Sequence, residues 1–170
     1  MEEKNRMPKL IAAALFIATI VYHDNITVLS KDFKPSFGKW KGTLTYLDYK
    51  SGKPYTMPAN ITISKDKQDK QRLVFAFEYP DEPKANGNDT LMISRDGSTI
   101  DGALVVSKQK DADGNLQIIT DKAGFDGNDN RAAILRHIYT IGKKIFINRK
   151  EVKFDGEEVF IMRNEFKMSR

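Results

Sequence analysis

From Trp40 onward, apolar and polar side chains alternate along the chain, as they do in strands that place one face on a core. In the first such run Trp40, Gly42, Leu44 and Tyr46 share one face, while lysines and threonines occupy the other. The same period predicts nine strands, over residues 40–46, 55–63, 73–79, 91–95, 99–108, 116–120, 131–141, 143–152 and 159–168. After residue 30 the sequence shows no helical stripe, so the pattern predicts an all-β protein.

Short turn sequences separate these runs. Asp96-Gly97, Asp113-Gly114 and Asp155-Gly156 are strong hairpin signals, and the polar segment 121–130, which holds two glycines, is predicted to be a loop. Hairpins in succession make an antiparallel up-and-down meander, and about 8–10 strands is the size at which closure removes the exposed edges of a sheet. We therefore predict a closed barrel.

The first 30 residues have a different character. Lys4, Arg6 and Lys9 precede an uncharged apolar stretch over residues 10–22, the order found in secretory signals. As a helix this stretch would be roughly 20 Å long, short of the ~30 Å hydrocarbon core of a bilayer. We expect residues 1–30 to be a signal peptide or N-terminal anchor, and the protein to be exported: periplasmic, secreted or membrane-anchored, with membrane contact only through an uncleaved N-terminal segment.

Length and composition fit one domain, predicted over residues 31–170. The 170 residues carry 28 Lys and Arg against 23 Asp and Glu, a mild net charge of +5. These basic residues are dispersed, whereas a nucleic-acid footprint would cluster them beside aromatic stacking partners, so no nucleic-acid partner is predicted. The absence of cysteine excludes a thiol nucleophile, a Cys-ligated zinc and a lipid-bearing cysteine.

The segment Asp32-Phe33-Lys34-Pro35-Ser36-Phe37-Gly38-Lys39-Trp40 resembles the Gly-x-Trp motif of the lipocalins and fatty-acid-binding proteins, the calycin group. The resemblance implies a lipocalin-like barrel in which Trp40 plugs one end and an arginine of a late strand, Arg163 or Arg149, packs across its ring. Thr120-Asp121-Lys122 matches two of the three residues of a second lipocalin motif. The Arg-x-Tyr pair that holds a carboxylate in fatty-acid-binding proteins has no counterpart after Arg163.

Inward-facing aromatic and methionine side chains predict either an apolar pocket or a filled core. The predicted ligand-binding residues in the barrel interior are Trp40, Tyr46, Phe75, Phe77, Tyr79, Phe160, Met162, Asn164, Phe166 and Arg163. In this set Asn164 or an arginine would orient a polar ligand head. We expect a non-enzymatic barrel that binds a small apolar or amphipathic molecule. The alternatives are a filled-core interaction module of the cell envelope, using loops 79–88 and 121–130, and an enzyme that uses the same cavity.

Isolated polar residues carry little chemistry of their own in this sequence. His137 is the only histidine beyond the leader, and a satisfied polar residue is a simpler interpretation than a haem ligand. Segments 111–115 and 126–130 look like calcium loops but lack the bidentate Glu at position twelve, so they are interpreted as Asp-Gly turns. Asp101, Glu78 and Glu165 could lie inside the barrel, yet no nucleophile motif accompanies them. No catalytic residue, metal or cofactor is predicted.

Overall fold

The computed structural model describes residues 26–170, so most of the predicted signal or anchor segment lies outside the described residues. The strands are β1 (Gly38–Asp48), β2 (Lys53–Lys65), β3 (Arg72–Glu78), β4 (Gly87–Met92), β5 (Thr99–Ile100), β6 (Ala103–Lys110), β7 (Leu116–Asp126), β8 (Arg131–Ile141), β9 (Ile145–Phe154) and β10 (Ile161–Ser169). Two 3-10 helices, Ser30–Ser36 and Pro83–Ala85, precede β1 and β4. In the described part of the chain, no helix is long and apolar enough to cross a membrane.

All ten strands belong to one antiparallel sheet, in the order β4-β3-β2-β1-β10-β9-β8-β7-β6-β5. The first strand pairs with the last, which curls the meander into a barrel. The two edges of the sheet meet only briefly, at the Ile93–Ile100 bridge and where the Asp101 N–H donates to the Met92 carbonyl at 2.8 Å. The structure confirms the predicted all-β meander, in the form of a nearly closed barrel.

One end of the barrel, here called the closed end, is sealed by the first 3-10 helix and Trp40. Trp40 is 1% exposed, and its indole N–H donates to the Ser36 carbonyl at 2.6 Å. The guanidinium of Arg170 lies 4.1 Å from the centre of the Trp40 ring. Trp40 is therefore a buried end-plug, as the resemblance implied.

The covering arginine was predicted wrongly. Strand β10 continues to Ser169, which pairs with Lys41, so the strand delivers Arg170 rather than Arg163 to the start of β1. Arg149 faces outward, where its Nε donates to Glu165 at 2.6 Å.

Apolar side chains fill the interior next to this plug. Rings from non-neighbouring strands meet across it, with Phe75 and Phe146 at 6.0 Å between ring centres. Val28 is also fully buried, and its N–H donates to the Gly97 carbonyl at 2.9 Å. The folded domain therefore includes Val28, upstream of the predicted start at residue 31.

Two strand predictions need correction. The predicted strand 99–108 is divided into β5 and β6 by a turn at Asp101 and Gly102, whose φ angles are 51° and 71°. The predicted loop 121–130 is wrong over its first six residues, because β7 continues to Asp126 and pairs with β8 throughout. Asp121 makes a two-bond ion pair with Arg136 on the outer face, at 2.8 Å for each bond.

The predicted face of β10 is interrupted by an irregularity. Asn164 pairs with Lys150, but Met162 pairs with Glu151, so β10 has one extra residue, Arg163, at this point. Before the extra residue, even-numbered side chains of β10 lie on the outer face, and after it they lie on the inner face. Phe160 and Met162, predicted to face the interior, therefore belong to the outer face. The ring of Phe160 lies beneath the outward-facing Arg136 guanidinium at 4.0 Å.

Candidate functional site

The other end of the barrel, here called the open end, lies towards the β1–β2 and β7–β8 hairpin tips, and its interior is amphipathic. Phe77, Tyr79 and Phe166 are half-buried and pack against the core. Phe77 reaches across the interior from β3 to Phe166 on β10, with 5.0 Å between ring centres, and stacks on Tyr79 at 6.4 Å. These rings form an apolar wall above the filled core.

Polar side chains from four adjacent strands form the opposing wall. In the sheet register Thr120 lies opposite His137, His137 opposite Lys150, and Lys150 opposite Asn164. This row shares its facing with the buried residues Ile118, Tyr139 and Phe146 on the same strands, so it faces the interior. The structure thus places a row of hydrogen-bonding groups inside the barrel.

A cavity of about 180 Å³ lies against this polar wall. It borders the gap between the two sheet edges, since Ile100, Asp101 and Ala103 belong to its lining. Its remaining lining residues are Thr120, Lys122, Leu135, His137 and Tyr139. At ~30 Å³ for each water molecule, the cavity has room for about six waters or a small organic group.

Thr120 brings an unsatisfied polar group to the wall of this cavity. Its side chain is 1% exposed, and its hydroxyl oxygen has no hydrogen-bond partner within residues 26–170. A buried hydroxyl without a partner costs about 1–3 kcal/mol. A ligand or water with a hydrogen-bonding atom at the cavity wall would remove that cost.

Burial shifts the pKa values of the titratable groups around the cavity. Burial lowers the pKa of His137. The Asn148 side chain, whose Oδ1 lies 3.4 Å from Nδ1 of the histidine, raises this pKa, but the effect of burial is larger. Burial raises the pKa of Asp101, which accepts a hydrogen bond from the Met92 N–H at 2.7 Å. The neutral imidazole is therefore the favoured form of His137 at neutral pH.

An ionic cluster spans part of the open end. Asp126, at the tip of β7, accepts a hydrogen bond from the Tyr49 hydroxyl at 2.8 Å and pairs with Lys150 at 2.8 Å and with Arg163 at 3.3 Å. Burial opposes ionisation of Asp126, but the hydrogen bonds from Lys150 and Tyr49 outweigh it and lower its pKa to about 2. The Arg163 guanidinium also lies 3.1 Å from the centre of the Tyr49 ring and donates to the Leu47 carbonyl. The cluster thereby links β1, β7, β9 and β10.

The structure brings together only part of the residue set predicted from the sequence. Phe77, Tyr79, Phe166 and Asn164 face the open interior, whereas Phe75 lies below them in the filled core, with 4% exposure. Trp40 belongs to the closed end and Arg163 to the ionic cluster. Tyr46 packs at 5.4 Å on Tyr55 and is 37% exposed. Phe160 and Met162 belong to the outer face.

Of the polar wall, only Asn164 was predicted from the sequence. His137 was considered only as a lone histidine, and Thr120, Lys122, Asn148 and Lys150 were not considered as site residues. The available signal was their phase, because each lies an even number of residues from a buried apolar position on its own strand. Of the three carboxylates singled out, Asp101 lines the cavity, Glu165 pairs with the outward-facing Arg149, and Glu78 is exposed.

The described residues offer little for a metal or a large cofactor. Over residues 26–170, no three His, Asp or Glu side chains are grouped as a metal site. The Asp111 carboxylate is occupied in its own turn, accepting from the Asp113 and Asn115 backbone N–H groups at 3.0 and 2.8 Å. The cavity beside His137 is well below the roughly 300–1,000 Å³ of cofactor-sized pockets, so its geometry does not fit a haem.

Fold and site together define a class: a ten-stranded, nearly closed antiparallel barrel with a plugged end and an amphipathic open end. In comparisons with known proteins, no family model and no curated protein matches the chain.

Proposed function

We propose that this protein is an exported, non-enzymatic, lipocalin-like barrel that binds a small amphipathic molecule at its open end. The observation that carries the proposal is the buried, unpartnered Thr120 hydroxyl in a cavity at the same end of the barrel as the half-buried rings of Phe77, Tyr79 and Phe166. Apolar walls with a few convergent polar groups are the usual composition of small-molecule sites.

The two walls indicate which ligand would fit. Phe77, Tyr79 and Phe166 offer partly exposed apolar surface, and removing such surface from water stabilises a complex by about 25 cal/mol for each Å². Thr120, His137 and Asn148 offer donors and acceptors on the facing wall. A molecule with an apolar body and one polar end satisfies both walls at once.

Size limits the ligand further. The partly open cavity is smaller than the ~300 Å³ of drug-sized sites, so it accommodates the polar end of a ligand or a very small molecule. A longer apolar portion would lie along the rings at the open end, where side chains are only half-buried. The lipocalin resemblance, Trp40 plug included, supports the same mode of binding, and the N-terminal sequence supports export.

A fluorescence titration tests binding at the open end. The purified protein should bind 1-anilinonaphthalene-8-sulfonate saturably, and decanoate should displace the dye. Tyr79→Ala should weaken dye binding about tenfold, equivalent to ~1.4 kcal/mol, because it removes apolar contact area. Phe125→Ala is the matched control, since Phe125 is an aromatic residue of the outer face with 63% exposure, and its affinity should stay within about twofold. A dye signal that does not saturate would contradict the proposal.

A second variant tests the polar wall. Thr120→Val removes the unpartnered hydroxyl with little change in shape, so stability should be unchanged or higher while displacement by decanoate weakens. Thr140→Val, at a buried threonine of the opposite phase on β8, is the control. Equal displacement in both variants would remove Thr120 from the site.

The second candidate is a filled-core interaction module, favoured by the complete packing of the closed half and by exposed apolar side chains outside. Leu104, Phe125 and Val159 are 56%, 63% and 67% exposed. Exposed apolar surface of this kind marks interaction sites when it is contiguous. A titration in which the dye fluorescence does not change on addition of protein would favour this alternative.

A further inference from the structure

A second concave surface lies outside the barrel, at its closed end. This groove has a volume of about 630 Å³ and runs between the first 3-10 helix and the β6–β7 and β8–β9 turns. The groove is shallow and open to solvent along its length. It shares no lining residue with the cavity at the open end.

The charge of this groove is one-sided. Four exposed lysines line it, Lys31, Lys110, Lys143 and Lys144, and none of them makes an ion pair within residues 26–170. Two acids also line it, but Asp32 is already paired with Lys108 at 2.7 Å. Asp113 is left as the single acid against four lysines, so the groove has an excess of positive charge.

The groove also has an apolar component. Pro35 and Leu116 contribute apolar surface to its lining, whereas Ile141, which also borders it, is only 2% exposed. Inorganic phosphate would use only the charges, whereas an organic anion with a flat apolar body would use both kinds of surface.

Arg170 holds two walls of the groove in place. Its Nε donates to the Lys143 carbonyl at 2.9 Å, and its Nη2 donates to the Pro35 carbonyl at 2.7 Å. The same guanidinium stacks on Trp40. The Lys108–Asp32 pair fixes the helix from a further strand. A preformed shape reduces the ordering cost of binding.

We infer that this groove is a binding site for a small organic polyanion, a molecule with an apolar ring system and two or more phosphate or sulfate groups. Lysines from the helix and from the two turns would pair with the anionic groups, while the ring system would cover Pro35 and Leu116. The site is independent of the ligand proposed for the open end.

Fluorescence anisotropy with pyranine, an aromatic trisulfonate, tests this inference on the purified protein. Binding should be saturable and should weaken as salt is raised, because the lysines are exposed to screening. The double variant Lys143→Gln/Lys144→Gln should lose about tenfold in affinity, and so should Lys31→Gln/Lys110→Gln, which removes the charges that the helix and the β6–β7 turn contribute. The control is Lys65→Gln/Lys67→Gln, a double variant at two exposed lysines of the β2–β3 turn. It removes the same amount of charge as each groove variant and should leave the affinity for pyranine within about twofold.

Unchanged denaturation midpoints would show that the variants fold, since every substituted lysine is exposed. Affinities within twofold of the unmodified protein in both groove variants would overturn the inference. An equal loss in the control would also overturn it, because binding would then follow net charge alone. Displacement of anilinonaphthalenesulfonate by decanoate should be the same in all three variants, which separates this site from the open end.

Discussion

His137 shows how one residue connects burial, charge and the proposed site. Its ring stacks on Tyr139 with 6.0 Å between centres and lines the cavity together with Asp101, and its Nδ1 lies 3.4 Å from the Oδ1 of Asn148. Burial lowers its pKa and nearby Lys150 lowers it further, while Asn148 and Asp101 act in the opposite direction. The net result is a histidine that resists protonation in the folded state.

This resistance predicts how stability varies with pH. In the unfolded chain His137 has an ordinary pKa near 6.5, so below that pH the unfolded state binds a proton that the folded state binds less readily. Its contribution to stability is fully present above pH 6.5 and is lost as the pH falls towards the lowered folded-state pKa. The loss is at most about 1.4 kcal/mol for each pH unit.

Urea unfolding at pH 7.5 and 5.5 measures the effect. Stability of the unmodified protein should fall over this interval, and His137→Gln should reduce the fall. His23 is present in both proteins, so its contribution cancels in the comparison, and the remaining difference reports His137 together with its interaction with Asp101. Equal changes in both proteins would show that His137 is not held neutral by the fold.

At the scale of elements, the sequence predicts strands well where the interior is apolar and poorly where it is polar. The sequence predicts β1, β2 and β3 correctly because buried apolar residues, Trp40, Ile61 and Phe75, mark the inner face of each strand. The second half of β7 looks like a loop because its inner face carries Lys122 and Asp126, beside a polar cavity and the ionic cluster. Hydrophobic alternation cannot reveal a strand whose inner face is polar.

The remaining differences have separate causes. The irregularity in β10 is invisible in the sequence, because Phe160 and Met162 are apolar and fit either face. The division between β5 and β6 did have a signal, since Asp101-Gly102 is an Asp-Gly pair like the three that were recognised. The covering arginine depends on where β10 ends, and that boundary is set by pairing with β1.

The β1–β10 junction, which joins the first strand to the last, gives a prediction at this scale. Gly42 lies opposite Met168, and a Cβ added to Gly42 would overlap the Lys167 carbonyl oxygen and lie 2.8 Å from Met168 Sδ. Gly42→Ala should therefore destabilise the protein by about 1–3 kcal/mol, as overpacking does. Chemical denaturation measures this change.

Gly87→Ala is the control, because a Cβ there meets only the Ala85 carbonyl oxygen, at 4.0 Å. Its stability should stay within about 0.5 kcal/mol of the unmodified protein. Equal effects of the two substitutions would contradict the close approach of β1 and β10.

At the scale of the whole molecule, the two halves of the barrel differ in what lines their interior. The closed half is filled by aromatic and aliphatic side chains, and the open half combines an aromatic wall with a polar one. Trp40 contacts Phe146 at 6.2 Å and is covered by Arg170, so it anchors the filled half. The proposed ligand site lies away from this plug.

Substitution of Trp40 tests this division. Trp40→Ala should lower the free energy of unfolding by about 3–5 kcal/mol, whereas Trp40→Phe should cost less because it retains most of the apolar volume. Denaturation followed by circular dichroism measures both variants. Native Trp40 emission should be blue-shifted and poorly quenched by iodide. Free quenching, together with a loss under about 1 kcal/mol in Trp40→Ala, would contradict the plug.

The most direct test of the central claim, that the open end of the barrel binds a small amphipathic molecule, is a two-dimensional amide NMR titration of the purified protein with decanoate. The account predicts saturable shifts for residues around Phe77, Thr120, His137 and Asn148, while the Trp40 indole N–H, bonded to the Ser36 carbonyl at the closed end, stays in place. An unchanged spectrum, or shifts confined to outer-face residues such as Leu104 and Phe125, would contradict it.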